Sequence, residues 1–228
     1  ESFYVLIRKG AFPMIVEQIM NKNVFTLQPT HSIKDAINLL RENKIRHLPI
    51  TNEEGLVVGV LSDRDIKDAT PSNLIENQHQ DIYATPIEEI MTKNPIIGHP
   101  LDFVEEVATI FYDQKIGCLP IVSSGKLVGI ITETDLLYKY IELTGAHQPG
   151  SQIEVRVPNK PGILFEVSKV FHDHQSNVLS VLVYPDLQND ENKILVFRVK
   201  TMNPLGIIED IRKEGFDVLW PNMTGMTT

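Results

Sequence analysis

Apolar residues fall at two spacings along this chain. Ile33, Ala36, Ile37 and Leu40 recur at intervals of three and four, as do Val104, Val107, Ala108 and Phe111, which gathers each set on one face of a helix. Short apolar runs over 47–50 and 56–61 follow the first set and predict two strands, with Asn52, Glu53, Glu54 and Gly55 as the hairpin turn between them. A further helix is expected to open at 62–65. Ahead of each helical set lie a short helix, carrying Ile19-Met20 or Ile90-Met91, and an extended segment ending at Pro29 or Pro100. The order β-α-β-β-α is therefore predicted twice.

The two copies are related in sequence as well as in pattern. Ile19-Met20 recurs as Ile90-Met91 and Leu48-Pro49-Ile50 as Leu119-Pro120-Ile121, each 71 residues on, whereas Gly59-Val60 matches Gly129-Ile130 and Asp65 matches Asp135 at 70. The lost residue is placed in the hairpin, shortened to Ser123, Ser124 and Gly125. The first repeat is expected over 14–71 and the second over 87–143, joined by a polar connector, 72–86, that has no period. Residues 1–13 read as a leader or an added segment without the marks of a secretory signal.

A linker rich in Gly and Pro, 144–151, separates the repeats from a region with a different rhythm, 152–221, which leaves 222–228 as a tail. Strands over 153–157, 178–184, 194–200 and 216–220, with helices over 164–174 and 205–213, make βαββαβ, the ferredoxin-like order. The whole is predicted to be α/β (α+β).

Composition narrows the functions without choosing one. No apolar run approaches the roughly 20 residues that cross a bilayer, so a soluble protein with no membrane partner is expected. A net charge of -9, from 21 basic and 30 acidic side chains, argues against a nucleic acid partner. The single cysteine, Cys118, forms no intrachain disulfide and belongs to no zinc-like spacing, which suits a reducing cytosol. His172 and His174, two apart on a helix, face different ways, and no phosphate loop or nucleophile elbow is present, so neither a metal nor a catalytic residue is predicted.

Candidate chemistry gathers where strands are expected to give way to helices. Ser62-x-x-Asp65 and Thr132-x-x-Asp135 bring a hydroxyl and an acid to a helix start, where unpaired N–H groups and the positive end of the helix suit a phosphate or a ribose. The same spacing is a capping box that merely starts a helix. Arg46, His47 and Arg64 occur only in the first copy, opposite Gly117, Cys118 and Thr134 in the second. Residues 14–71 carry 7 basic and 8 acidic groups against 4 and 9 in 87–145. Because a guanidinium can hold a phosphate through two N–H groups at once, unequal half-sites are expected. Gly162, ahead of the 164–174 helix, allows close backbone approach, and that helix start is a candidate carboxylate site.

Gly59-Val60-Leu61-Ser62-Asp63-Arg64-Asp65-Ile66, its counterpart Gly129-Ile130-Ile131-Thr132-Glu133-Thr134-Asp135-Leu136 and the two Leu-Pro-Ile strands resemble CBS domains, whose tandem pair is called a Bateman module. The motif is duplicated, and the resemblance covers roughly 14–140. The last region resembles an ACT domain through its element order, the Asn159-Lys160-Pro161-Gly162 turn and Asn177 at the start of its second strand.

The CBS resemblance implies a pseudo-twofold pair with clefts between the repeats that bind an adenine nucleotide (AMP, ADP or ATP) as a regulatory ligand, no cofactor being implied. Asp65 and Asp135 would accept ribose hydroxyls and Ser62 and Thr132 would face phosphate, with Arg46, His47, Arg64 and Cys118 around them and Thr26 and Ile97 beside the base. The ACT resemblance implies a small amino acid near Asn159, Gly162, Ile163 and Leu164. A non-catalytic regulator, homodimeric and acting on a partner enzyme, is expected. The alternative is a ligand-free scaffold that docks on a metabolic enzyme.

Overall fold

The computed structural model describes residues 14–70 and 80–221; the expected leader 1–13, the tail 222–228 and the connector residues 72–79 lie outside the described residues. The chain forms two units, Glu1–Leu137 and Tyr138–Thr228.

In the first unit α1 (Ile33–Asn43) opens on Ser32, whose hydroxyl accepts from Asp35 N while Asp35 accepts from Ser32 N, and buries Ile33, Ala36 and Leu40. β1 (His47–Thr51) and β2 (Val57–Ser62) form an antiparallel hairpin that runs directly into α2 (Asp63–Ala69). Then come α3 (Gln80–Tyr83), β3 (Thr92–Lys93) and the second copy: α4 (Val104–Gln114), β4 (Cys118–Ser123), β5 (Lys126–Thr132) and α5 (Glu133–Thr144), a helix that begins in this unit and ends in the next. Even the irregularities repeat. Register shifts at Ile50/Thr51 in one hairpin and at Ile121/Val122 in the other, and Lys44 and Lys115 both end their helices at φ 53°.

The lead-in segments are exchanged. The short 3-10 helix Val16–Gln18, with Ile19 and Met20 just after it, packs on the second repeat: Val16 N donates to Asp102 O (2.9 Å), and Asn21 and Ile130 trade backbone hydrogen bonds of 2.9 and 3.0 Å. Val16, Ile19 and Met20 complete the core of Val107, Phe111, Leu119, Ile121 and Ile131. Reciprocally, Ile33 N donates to Thr85 O (3.0 Å) and Ile87 N to His31 O (2.8 Å), and β3 pairs with β2. Ile82, Tyr83, Ile87 and Met91 thereby join the core around Leu48, Ile50 and Leu61, so residues 80–86, expected as plain connector, help to cover the first repeat. Gly59 and Gly129 are glycines because Met91 and Met20 fill the space a Cβ would need.

The extended segments ending at Pro29 and Pro100 were expected as strands; each instead touches its hairpin through a single parallel bridge, Leu27 to Ile50 and Gly98 to Ile121. The sheets are therefore β1-β2-β3 and β4-β5.

The second unit follows the predicted βαββαβ order: β6 (Ser151–Pro158), α6 (Ile163–Asp173), β7 (Val178–Pro185), β8 (Asn192–Val199), α7 (Leu205–Lys213) and β9 (Asp217–Trp220). The strands lie in the order β7-β8-β6-β9, with every pair antiparallel. Alternation along β6 sends Ile153, Val155 and Val157 to the helix side, where they meet Val167 and Phe171 of α6 and Ile208 and Ile211 of α7. The Phe171 and Phe197 rings stand 4.4 Å apart at the centre. No helix among the described residues is long and apolar enough to cross a membrane.

Candidate functional site

Each hairpin delivers its last strand residue to a sharp strand-to-helix corner. His47 pairs with Ser62 and Cys118 with Thr132, so the residues that begin β1 and β4 stand beside the corners that end β2 and β5. Both corners line one open cleft of about 1030 Å³. Of the residues singled out in the sequence, Arg46, His47, Ser62, Arg64, Asp65, Cys118, Thr132 and Asp135 are brought together there.

Both corners are capping boxes. Ser62 Oγ donates to Asp65 Oδ2 (2.6 Å), Ser62 N donates to the same oxygen (2.7 Å), and Asp65 N donates back to Ser62 Oγ (3.2 Å). Thr132 and Asp135 repeat the three bonds at 2.7, 2.8 and 3.3 Å. Starting the helix and facing the cleft are thus done by the same residues. The expectation of free amides at the first corner needs correction: Asp63 N is taken by Arg46 O (3.0 Å) and Asp65 N by Ser62 Oγ (3.2 Å). What remains for a ligand is mostly side chains: Oδ1 of each aspartate, which has no hydrogen bond among the described residues, and the nearby cations.

Electrostatics differ between the corners. Burial, with Arg46 adding to it, holds His47 below the ordinary histidine value against the opposing pull of Asp63, Glu133 and Asp65. Although partial burial works the other way, Lys67 and Arg46 hold the Asp63 carboxyl below its usual range. Cys118 occupies the position equivalent to His47; burial, helped by Asp65, pushes its thiol up to about 12, so it stays protonated and neutral.

Thr26 and Ile97 do not line the cleft. Their segments instead present Val24 and Phe25, and Pro95 and Ile96, to it, while Thr26 is exposed and Ile97 is 50% exposed. Lys44 and Lys115 line the cleft and were missed. Their place, 71 apart at the end of a predicted helix and just before a strand, was a readable signal.

At the candidate ACT-type site Gly162 has φ 85° and opens α6 with no side-chain cap. A Cβ there would meet nothing within 4 Å, so the glycine answers to backbone conformation and not to close approach. Asn159 N donates to Glu191 O (2.7 Å) and its side chain is exposed, as is that of Leu164. Ile163, expected beside a ligand, is 2% exposed within the sheet–helix core because it shares a helix face with Val167 and Val170, and only its backbone is left to a ligand.

Family models match the chain as follows: CBS domain at 16–72 and 87–142, and ACT domain at 151–216. The chain is similar to the CBS domain-containing protein YhcV of Bacillus subtilis, at 31% identity over 53% of this chain and 81% of that protein. Among solved structures it is similar to the Vibrio cholerae protein AcuB, named for acetoin utilization, at 32% identity and TM-score 0.52, over 60% of this chain and 97% of that one. It is also similar to the CBS domain pair of protein MJ0100 in complex with 5'-methylthioadenosine and S-adenosyl-L-methionine, at 30% identity and TM-score 0.51, over 60% and 100%. Other curated relatives, among them enzymes, are longer, and the chain spans between 22% and 43% of their length. The duplicated corners, and the ferredoxin-like sheet that follows them along the sequence, place the chain among the CBS-domain proteins, as a tandem CBS pair with an ACT domain after it.

Proposed function

We propose that the chain is a non-catalytic, ligand-sensing regulator of the cytosol that binds an adenine nucleotide (AMP, ADP or ATP) in the cleft between its repeats and a small amino acid at the start of α6. The observation that carries this reading is that Asp65 and Asp135, 70 residues apart, face one cleft, each with an oxygen to spare for a ribose hydroxyl. Support for the adenosine class comes from the MJ0100 pair, and for a role in acetoin catabolism from likeness to AcuB. Control works by linkage: a ligand that prefers one arrangement of the repeats shifts the population toward it, and a partner enzyme reads the shift.

Titration calorimetry of the full chain with AMP, ADP, ATP and S-adenosylmethionine tests the reading. Asp65→Ala is expected to weaken binding on the order of tenfold, the loss of one or two charge-assisted hydrogen bonds. Silence from every ligand favours the second reading, a docking scaffold. That reading has its own observation: β7 is an edge strand with Val183 and Tyr184 exposed, and Leu187 just beyond it is 96% exposed. An uncovered apolar edge invites a further strand, whether from a partner enzyme or from the second copy in a homodimer.

A further inference from the structure

The two corners share one plan and carry opposite charge. Where the first has Arg46, Arg64 and Lys67, the second has Gly117, Thr134 and Leu137, yet the carboxylates are kept, Asp63 and Asp65 against Glu133 and Asp135. In the first corner Asp63 pairs with Lys67 Nζ at 3.0 Å and Arg46 Nε at 3.5 Å, and three cations, Arg46, Arg64 and Lys67, stand against two carboxylates, Asp63 and Asp65. In the second, neither Glu133 nor Asp135 has an ion-pair partner among the described residues.

Packing bears on one of these three pairs, Arg46 and Gly117. A Cβ on Gly117 would stand 2.6 Å from His47 Nε2, so the imidazole of the first repeat fills the space that an arginine in the second would need. A side chain at position 117 would therefore require that ring to move.

We propose that the half-sites take different chemical classes: a phosphate-bearing adenine nucleotide at the first corner, and at the second an adenosine compound without phosphate, neutral or cationic at its 5' substituent. This rests on the reading that the cleft binds adenosine ligands and adds which class goes where. A phosphate beside Glu133 and Asp135 meets two uncompensated like charges, whereas a thioether or a sulfonium does not. Beside Arg64 it meets a two-pronged donor.

Equilibrium titration of the full chain with AMP and 5'-methylthioadenosine, read as stoichiometry per chain, tests the assignment. AMP is expected to fill one site, and AMP-saturated protein to take up one 5'-methylthioadenosine. Arg64→Gln, a change at an exposed position, should weaken AMP on the order of tenfold and leave 5'-methylthioadenosine within about twofold. Glu133→Gln should open the second site to AMP. Two equivalent AMP sites, or equal weakening of both ligands by Arg64→Gln, overturn the assignment while adenosine binding stands. No binding of either ligand overturns it together with the reading beneath it.

Discussion

Two kinds of strand-to-helix step occur in this molecule, and their contrast shows when a helix start turns into a recognition element. At Ser62 and Thr132 the step is held by side-chain caps, is half-buried, and faces its own duplicate across a cleft. At Gly162 the step is made by backbone alone, at φ 85°, with open space where a side chain would be. Its neighbouring ions, Lys160 and Glu166, pair at 3.2 Å on the surface. The corners gain their chemistry from what stands opposite them, a facing that duplication supplies and a single copy cannot.

The sharpest way to break this contrast is at Ile163. If its side chain belongs to the core, Ile163→Ala should cost about 2–5 kcal/mol in denaturant unfolding, and Leu164→Ala, next to it but exposed, within about 0.5 kcal/mol. Equal costs would return Ile163 to the surface and to a ligand. Gly162→Ala comes next, with a loss of about 1–2 kcal/mol from backbone conformation and none from a clash; a neutral result would mean that the turn relaxes to another shape.

The smallest effect belongs to the corners. The folded-state value of His47 lies below the 6.5 of an ordinary histidine, so as pH falls the unfolded chain takes up the proton first. Stability from this group is full above about pH 6.5 and is lost as pH drops through the folded value. His47→Gln should flatten that part of the stability profile measured between about pH 7.5 and 5, and an unchanged profile would detach His47 from the buried wall of the cleft.

Much of this was legible in the residues. The 71-residue period announced two copies, and the alternation and helical spacing after 152 announced the ferredoxin-like order. The exchange of lead-in segments was not, because periodicity tells which face of Val16, Ile19 and Met20 is apolar but not which core it fills. The burial of the Ile163 side chain was readable too, since its spacing from Val167 and Val170 marks a core face. Thr26 and Ile97 show the reach of a resemblance: it locates a segment, while Val24, Phe25, Pro95 and Ile96 are the residues of those segments that line the cleft.

The traded segments also set a timetable. A nascent chain exposes Val16 long before Ile131 exists to receive it, and the earlier core waits for Met91 before its last gap is filled. Neither half can finish first and leave the other for later, since closure of each depends on residues far away along the polypeptide. The duplicated region therefore matures as one cooperative body, and a fragment cut at the sequence period would release two unfinished cores instead of two small domains.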